Sequence, residues 1–219
     1  MIRPRFNSVR RTVILIFTSL FCLSIALPVI ASPSDQERWD SKYENEVYIF
    51  GTEPISFIRD NLKLLPKGKV LDIAMGEGRN GVYLAANGFE VEGIDISEVG
   101  LKKAHKLAAQ NNTRIATRVV DLENAQLEKD KYDVVLCTYY MQRNLIPQMK
   151  AAVKKGGMVV FETYNEDYLK YRKFNPEWVL KHNELLELFK DFKIIRYQAF
   201  WKEHFETQVT LRPRIPLSP

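Results

Sequence analysis

Apolar positions along the chain follow two alternating periods. Strand-like runs occur at 69–74 (KVLDIA), 90–95 (EVEGID), 114–120 (RIATRVV), 132–138 (YDVVLCT), 158–164 (MVVFETY), 192–200 (FKIIRYQAF) and 206–215 (ETQVTLRPRI). Between the earlier runs, apolar residues recur at helical spacing over 80–87, 97–111 and 145–155. Ser97 suits the N-cap of the second helix, and Gly156-Gly157 reads as a helix stop and turn. Strand and helix in repetition imply right-handed crossovers and a parallel sheet with helices on both faces. Only WKEHF, residues 201–205, separates the last two runs. That is too short for a parallel crossover, so these runs are expected to pair as an antiparallel hairpin at the sheet edge. The pattern predicts a three-layer α/β sandwich around a mostly parallel seven-stranded sheet. Residues 35–68 precede the first strand and are expected to lay one or two helices over the carboxyl edge of the sheet. We find no internal repeat and no low-complexity segment.

The first 31 residues stand apart. Arg3, Arg5, Arg10 and Arg11 precede an uncharged run over 12–31, which ends in Val29-Ile30-Ala31 before Ser32. This is the arrangement of a secretory signal peptide. At 20 residues the run is also long enough to span a bilayer, so an uncleaved N-terminal anchor is the alternative. Either reading holds the arginines inside and puts the domain at 32–219 on the far side, periplasmic or extracellular. A misassigned start would leave the protein cytoplasmic. The leader also explains the charge. Four of the 32 basic residues and none of the 27 acidic ones lie in it, so 28 oppose 27 in the remainder, a net of +1. Charge balance therefore gives no case for nucleic acid as a partner. Cys22 belongs to the leader, leaving Cys137 alone in an apolar run as a small buried hydrophobe. His105, His182 and His204 have no ligand spacing, and no metal site is expected.

The chemistry gathers around VLDIAMGEGRNGVYLA, residues 70–85. Gly76-Glu77-Gly78-Arg79-Asn80-Gly81 fits the dinucleotide fingerprint G-x-G-x-x-G, a weak signal when alone. In an open α/β sheet such a turn lies at the carboxyl edge, where ligands bind. Asp95 and Asp121 close the next two strand-like runs, placing carboxylates where a ribose and an adenine amino group would sit. Asp72 lies just before the turn. A pyrophosphate would be repelled by that charge, whereas an ammonium group would be attracted. The asymmetry favours a zwitterionic, cationic cofactor over a nicotinamide dinucleotide.

VLDIAMGEGRNGVYLAANGFEVEGIDIS resembles the first two motifs of the class I S-adenosylmethionine-dependent methyltransferases. YDVVLCTYYMQRNLIPQMKAAVKKGGMVVFETY resembles their fourth-strand, helix and fifth-strand block. The G-E-G-R-N turn, the upstream WDSKYENEVYIFGTEP and the downstream NPEWVLKHNELLELFKDFKIIRYQ are similar to the small tellurite-resistance-type methyltransferases. The resemblance runs from about residue 39 to 201 and implies a Rossmann-like fold with S-adenosylmethionine as cofactor. It implies that Asp72, Ala74, Gly76 and Gly78 face the methionine part, with Arg79 on its carboxylate. Asp95 and Ile96 would hold the ribose and one adenine face, Asp121 and Leu122 the adenine edge, and Thr138 the sulfonium side. One departure is Ala74, which stands where the superfamily has the first glycine of its turn. A methyl there fits a backbone that stays extended. The leader is the other departure, because the family is mostly cytosolic.

Methyl transfer from a sulfonium is an in-line displacement that depends mainly on positioning, so no compact catalytic triad is expected. The catalytic residues are left open. Substrate-side candidates follow the fourth and fifth strands: Tyr139, Tyr140, Arg143, Glu162 and Tyr164. Arg143 would suit an anionic small-molecule acceptor such as an oxyanion or carboxylate. Tyr43, Tyr48 and Phe50 are candidates for a lid, and YLKYRKFNPEW, 168–178, reads as a substrate-covering insertion. The alternative function is a noncatalytic module that binds the cofactor or its product outside the cytoplasm.

Overall fold

A computed structural model of the chain describes residues 33–200 and 206–213. The leader read over 1–31 lies outside the described residues. Among those described, no helix is long and apolar enough to cross a membrane.

The parallel core has five strands: β1 (Lys69–Ile73), β2 (Glu90–Asp95), β3 (Ala116–Val119), β4 (Tyr132–Thr138) and β5 (Val153–Tyr164). They lie in the order β3-β2-β1-β4-β5, each parallel to its neighbour. The order reverses between β1 and β4, which puts the ligand-binding crevice beyond the carboxyl end of β1. Two further strands, β6 (Phe192–Phe200) and β7 (Glu206–Pro213), pair antiparallel to each other, and β7 runs antiparallel along β5. The connection over 201–205 is outside the described residues.

Alternation along the central strands fills both faces. Leu71, Ile73, Val135, Cys137, Val159 and Phe161 pack on one side with Ile146, Met149, Leu185 and Phe189. Val70, Val134, Leu136 and Val160 pack on the other with Phe57, Ile58, Leu84, Leu101 and Leu107. A parallel sheet covered on both faces needs this near-continuous apolar composition. The first side is supplied by α5 (Ile146–Ala152) and α6 (Glu184–Leu188). The second carries α2 (Ser56–Asn61), α3 (Arg79–Ala86) and α4 (Glu98–Gln110). Before them, α1 (Pro33–Tyr43) packs on α4 at the carboxyl edge, so the pre-strand segment does supply two helices.

Several boundaries move. The helix expected over 145–155 ends at Ala152, and β5 starts at once. Val153 pairs with Tyr132 and Met158 with Val134, so 154–157 bulge from the ladder with Gly156 at φ +84°. Gly156-Gly157 is therefore a bulge inside a strand rather than a helix stop. The third strand ends at Val119, and Asp121 falls in the turn beyond it.

Candidate active site

Three alternate residues of the first turn leave ordinary backbone space. Ala74, Gly76 and Gly78 have φ of +53°, +54° and +87°. Glycine adopts this region freely, but alanine does so at about 1–2 kcal/mol. The extended backbone expected at Ala74 is thus corrected: the position keeps a glycine-type conformation without the glycine. Gly78 then caps α3. Gly81, one turn on, sits so close to the strand that a methyl there would lie 2.3 Å from Met75 Cε and 2.8 Å from Asp72 Oδ2.

Asp72 and Asp95 form the acidic floor. Asp72 is 2% exposed, and its Oδ2 has no hydrogen-bond partner among the described residues. Burial pushes its carboxyl up to about 7; the Gly81 N–H opposes the rise and the Asp95 charge adds to it. Asp95 is also buried. Its Oδ2 accepts from the Gly76 N–H at 2.7 Å and its Oδ1 from the Ser97 N–H at 2.8 Å. Burial still raises its pKa, against the hydrogen bonds from Ser97, Gly76 and Ile96. Beyond it, Ile96 is half-buried, Leu122 is in the core, and Asp121 accepts from the Glu123 N–H and from Asn124 Nδ2.

The N-terminal segment is strapped across this edge by side chains that sequence reasoning passed over. Asp40 Oδ1 accepts from Ser97 Oγ at 2.5 Å and from the Val99 N–H, fixing α1 to the start of α4. Glu77 pairs with Lys103, whose ammonium also donates to the carbonyls of Asn45 and Val47. Asn80, buried at the start of α3, accepts from the Ile55 N–H and donates to Thr138 Oγ1 at 3.0 Å. A buried asparagine directly after a glycine turn was the available signal. Tyr43 is 4% exposed; a methyl on Gly76 would come 2.7 Å from its hydroxyl, and one on Gly100 about 2.9 Å from its ring. Burial, with Asp95 and Glu77, drives its pKa far up. Of the three lid candidates, Tyr43 covers the turn and Phe50 stands exposed at the rim. Tyr48 instead turns to α4, donating to the Lys103 carbonyl.

On the acceptor side, Tyr139 has φ +57° and its hydroxyl donates to Glu162 Oε1 at 2.8 Å. Glu162 is 1% exposed. The Tyr139 ring lies 5.5 Å from the Arg79 guanidinium carbon and 5.2 Å from the Tyr164 ring. Arg79 also donates to the Phe50 carbonyl. The structure brings Thr138, Tyr139, Glu162 and Tyr164 together with the turn. It does not do so for Arg143. That guanidinium binds Glu184 through two nitrogens, at 2.6 and 2.9 Å, and donates to the carbonyls of Glu177 and Val179. Arg143 is corrected from an anion-binding residue to a clamp on the segment before α6. Tyr140 donates to Gln142, and burial raises its pKa well above the usual phenol range. Cys137 is buried and unbridged. Among the described residues no cluster of three metal-ligating side chains occurs.

The residues fit the cofactor that the turn suggests. A buried carboxylate oxygen without a partner suits an ammonium group better than a phosphate-sized anion. The sheet order and this acidic edge define the Rossmann-like methyltransferase fold. The TehB family, described as tellurite resistance protein TehB, matches residues 36–210, and the chain belongs to it. The chain is 27% identical over 181 residues to a probable S-adenosyl-L-methionine-dependent methyltransferase TehB of Haemophilus influenzae, covering 78% of this chain and 60% of that protein. It is 30% identical over 123 residues to a ubiquinone biosynthesis O-methyltransferase of Hydrogenovibrio crunogenus, covering 53% and 51%. The crystal structure of TehB from H. influenzae superposes with a TM-score of 0.63 at 20% identity, covering 82% of this chain and 67% of that one. S-adenosyl-L-methionine is named as the cofactor of the first of these relatives.

Proposed function

We propose that the chain transfers the methyl group of S-adenosylmethionine to a small-molecule acceptor by in-line displacement. The observation that carries this reading is the unpartnered, buried Asp72 Oδ2 beside the Ala74–Gly78 turn. Asp72 receives the cofactor's ammonium, the turn's backbone lies along its methionine part, and Arg79 faces its carboxylate. Asp95 takes the ribose hydroxyls; Ile96, Asp121 and Leu122 surround the adenine; Thr138, fixed by Asn80, borders the sulfur. The bound cofactor supplies an already activated methyl group, and the chain's part is to align the acceptor and exclude water. The finer architecture belongs to the same reading: β6 and β7 form an antiparallel hairpin that completes a seven-stranded sheet, supported by the pairing of β7 with both β5 and β6. So does the location, with the domain exported or anchored beyond the membrane by residues 1–31, supported by the four arginines and the uncharged run. A noncatalytic binding module finds no support in these relatives. Calorimetry of the purified protein tests the reading: S-adenosylmethionine and S-adenosylhomocysteine bind in the micromolar range, and NAD and NADP do not. Tight NAD binding without a response to the sulfonium cofactor would overturn it.

A further inference from the structure

From the crevice between β1 and β4, we infer that Asn80 is a positioning residue. It turns the Thr138 hydroxyl hydrogen toward the cofactor's carboxylate, so that Asp72 and Thr138 together read an α-amino acid head group. The inference rests on the methyl-transfer reading above.

Donor and acceptor roles fix the direction of that hydrogen. The Ile55 N–H can only donate, so the Asn80 atom that meets it at 3.0 Å is the amide oxygen. The amide nitrogen then faces Thr138 Oγ1, also at 3.0 Å. That nitrogen can only donate, so Thr138 Oγ1 accepts and its own hydrogen is left for another partner. Among the described residues that hydrogen meets no acceptor. Asn80 is 4% exposed, which keeps its amide out of water and bound at both ends.

Strand register gives the hydroxyl its target. Asp72 stands level with Leu136, and Ile73 with Cys137. Successive strand residues point to opposite faces, so Asp72, Leu136 and Thr138 share one face, on which Leu136 packs with Leu84 of α3. Thr138 lies one step beyond the Ile73–Cys137 pair, at the height of Ala74 and the start of the turn. Asp72 Oδ2, on the same face, meets no donor. An unmet acceptor and an unmet hydrogen therefore lie two residues apart along paired strands without satisfying each other. One head group satisfies both, with an ammonium for Asp72 and a carboxylate for Thr138. A lone amine leaves the Thr138 hydrogen unmet, and a lone carboxylate is repelled by Asp72. Arg79, the residue before Asn80, adds a cation at this end, where its guanidinium lies beside the Tyr139 ring. A hydroxyl bonded to a charged carboxylate is among the stronger hydrogen bonds.

The test is calorimetry of the full-length protein with S-adenosylhomocysteine and, separately, with 5′-methylthioadenosine. The second ligand keeps the adenosine and the sulfur but has no amino acid head group. Thr138→Val should weaken S-adenosylhomocysteine about tenfold or more and leave 5′-methylthioadenosine unchanged. Thr138→Ser, which keeps the hydroxyl, should bind both as wild type does. Asn80→Asp still accepts from the Ile55 N–H but draws the Thr138 hydrogen back to itself. It should therefore weaken S-adenosylhomocysteine alone, and by less in the Thr138→Val background. If one variant fails to fold, the other decides. Wild-type affinity for S-adenosylhomocysteine in Thr138→Val, or an equal loss of 5′-methylthioadenosine, overturns the inference and leaves the methyl-transfer reading intact. An Asn80→Asp loss of the same size in both backgrounds overturns the positioning role. Failure of the wild-type protein to bind S-adenosylhomocysteine removes both readings.

Discussion

The Asp95 carboxylate accepts a 2.7 Å hydrogen bond from the Gly76 N–H, so the end of the second strand fastens the turn that follows the first. The same carboxylate holds the Ser97 N–H at the entry to α4. Asp95→Ala should therefore act on the fold as well as on the ligand. Leaving the Gly76 and Ser97 N–H groups unsatisfied costs about 1–3 kcal/mol for each, and ribose contacts are lost in addition. Urea denaturation should show the loss without ligand, and calorimetry the weaker binding. Unchanged stability with unchanged affinity would remove Asp95 from both tasks.

Asp72 should set a pH dependence of opposite sign for stability and binding. Its carboxyl, near 3.8 when exposed, lies at about 7 in the folded chain. Between those values the folded state binds more protons, so stability falls as pH rises from about 4 to about 7, by an amount on the order of 4 kcal/mol. Asp72→Asn should abolish this slope and leave the ligand-free protein more stable than wild type above pH 7. Affinity for the ammonium-bearing cofactor should rise in wild type as Asp72 ionises, and fall in the variant. Denaturation and calorimetry at pH 5 and pH 8 check both signs.

Ala74→Gly should stabilise the protein, the reverse of the usual effect of introducing glycine. Relief of the left-handed alanine returns about 1–2 kcal/mol, and the freer unfolded chain takes back about 0.4–1 kcal/mol. A net gain of roughly 1 kcal/mol at the midpoint of urea unfolding is expected; a loss would mean that the turn does not hold φ +53° at this residue.

Arg143→Lys should loosen the segment from Pro176–Trp178 to α6. A lysine cannot reproduce the paired contact with Glu184 and both carbonyls, at a cost of about 1–3 kcal/mol. Hydrogen exchange should rise over 176–184, while affinity for S-adenosylhomocysteine stays at the wild-type value.

The leader makes a separate prediction. Export with cleavage gives a mature N-terminus at Ser32, and an anchor gives an intact Met1 in the membrane fraction. A cytoplasm-only fluorescent reporter fused after Pro219 should stay dark in either case, and a bright signal would exclude export.

The parallel core was legible because periodicity reports burial directly. Val70-Leu71 and Val134-Val135 are apolar in succession, as a strand covered on both faces must be. The acidic strand ends were legible for a related reason: a carboxylate beside a glycine turn is costly unless something meets it. Partnerships across the chain were not. Arg143 is four residues past Tyr139, and only the fold shows that Glu184, 41 residues on, takes its charge. The strap was hidden likewise, since Asp40 meets Ser97 and Asn80 meets Ile55 and Thr138 at long range. The Tyr139–Glu162 bond joins two residues named only as separate candidates.

The most direct measurement is a crystal structure of the protein with S-adenosylhomocysteine. The ligand's amino group is expected within hydrogen-bond distance of Asp72, its ribose hydroxyls on Asp95, its adenine between Ile96 and Leu122, and its sulfur toward Thr138 and Tyr139. A ligand bound away from the Ala74–Gly78 turn, or bound there with its amino group turned from Asp72, would contradict this placement.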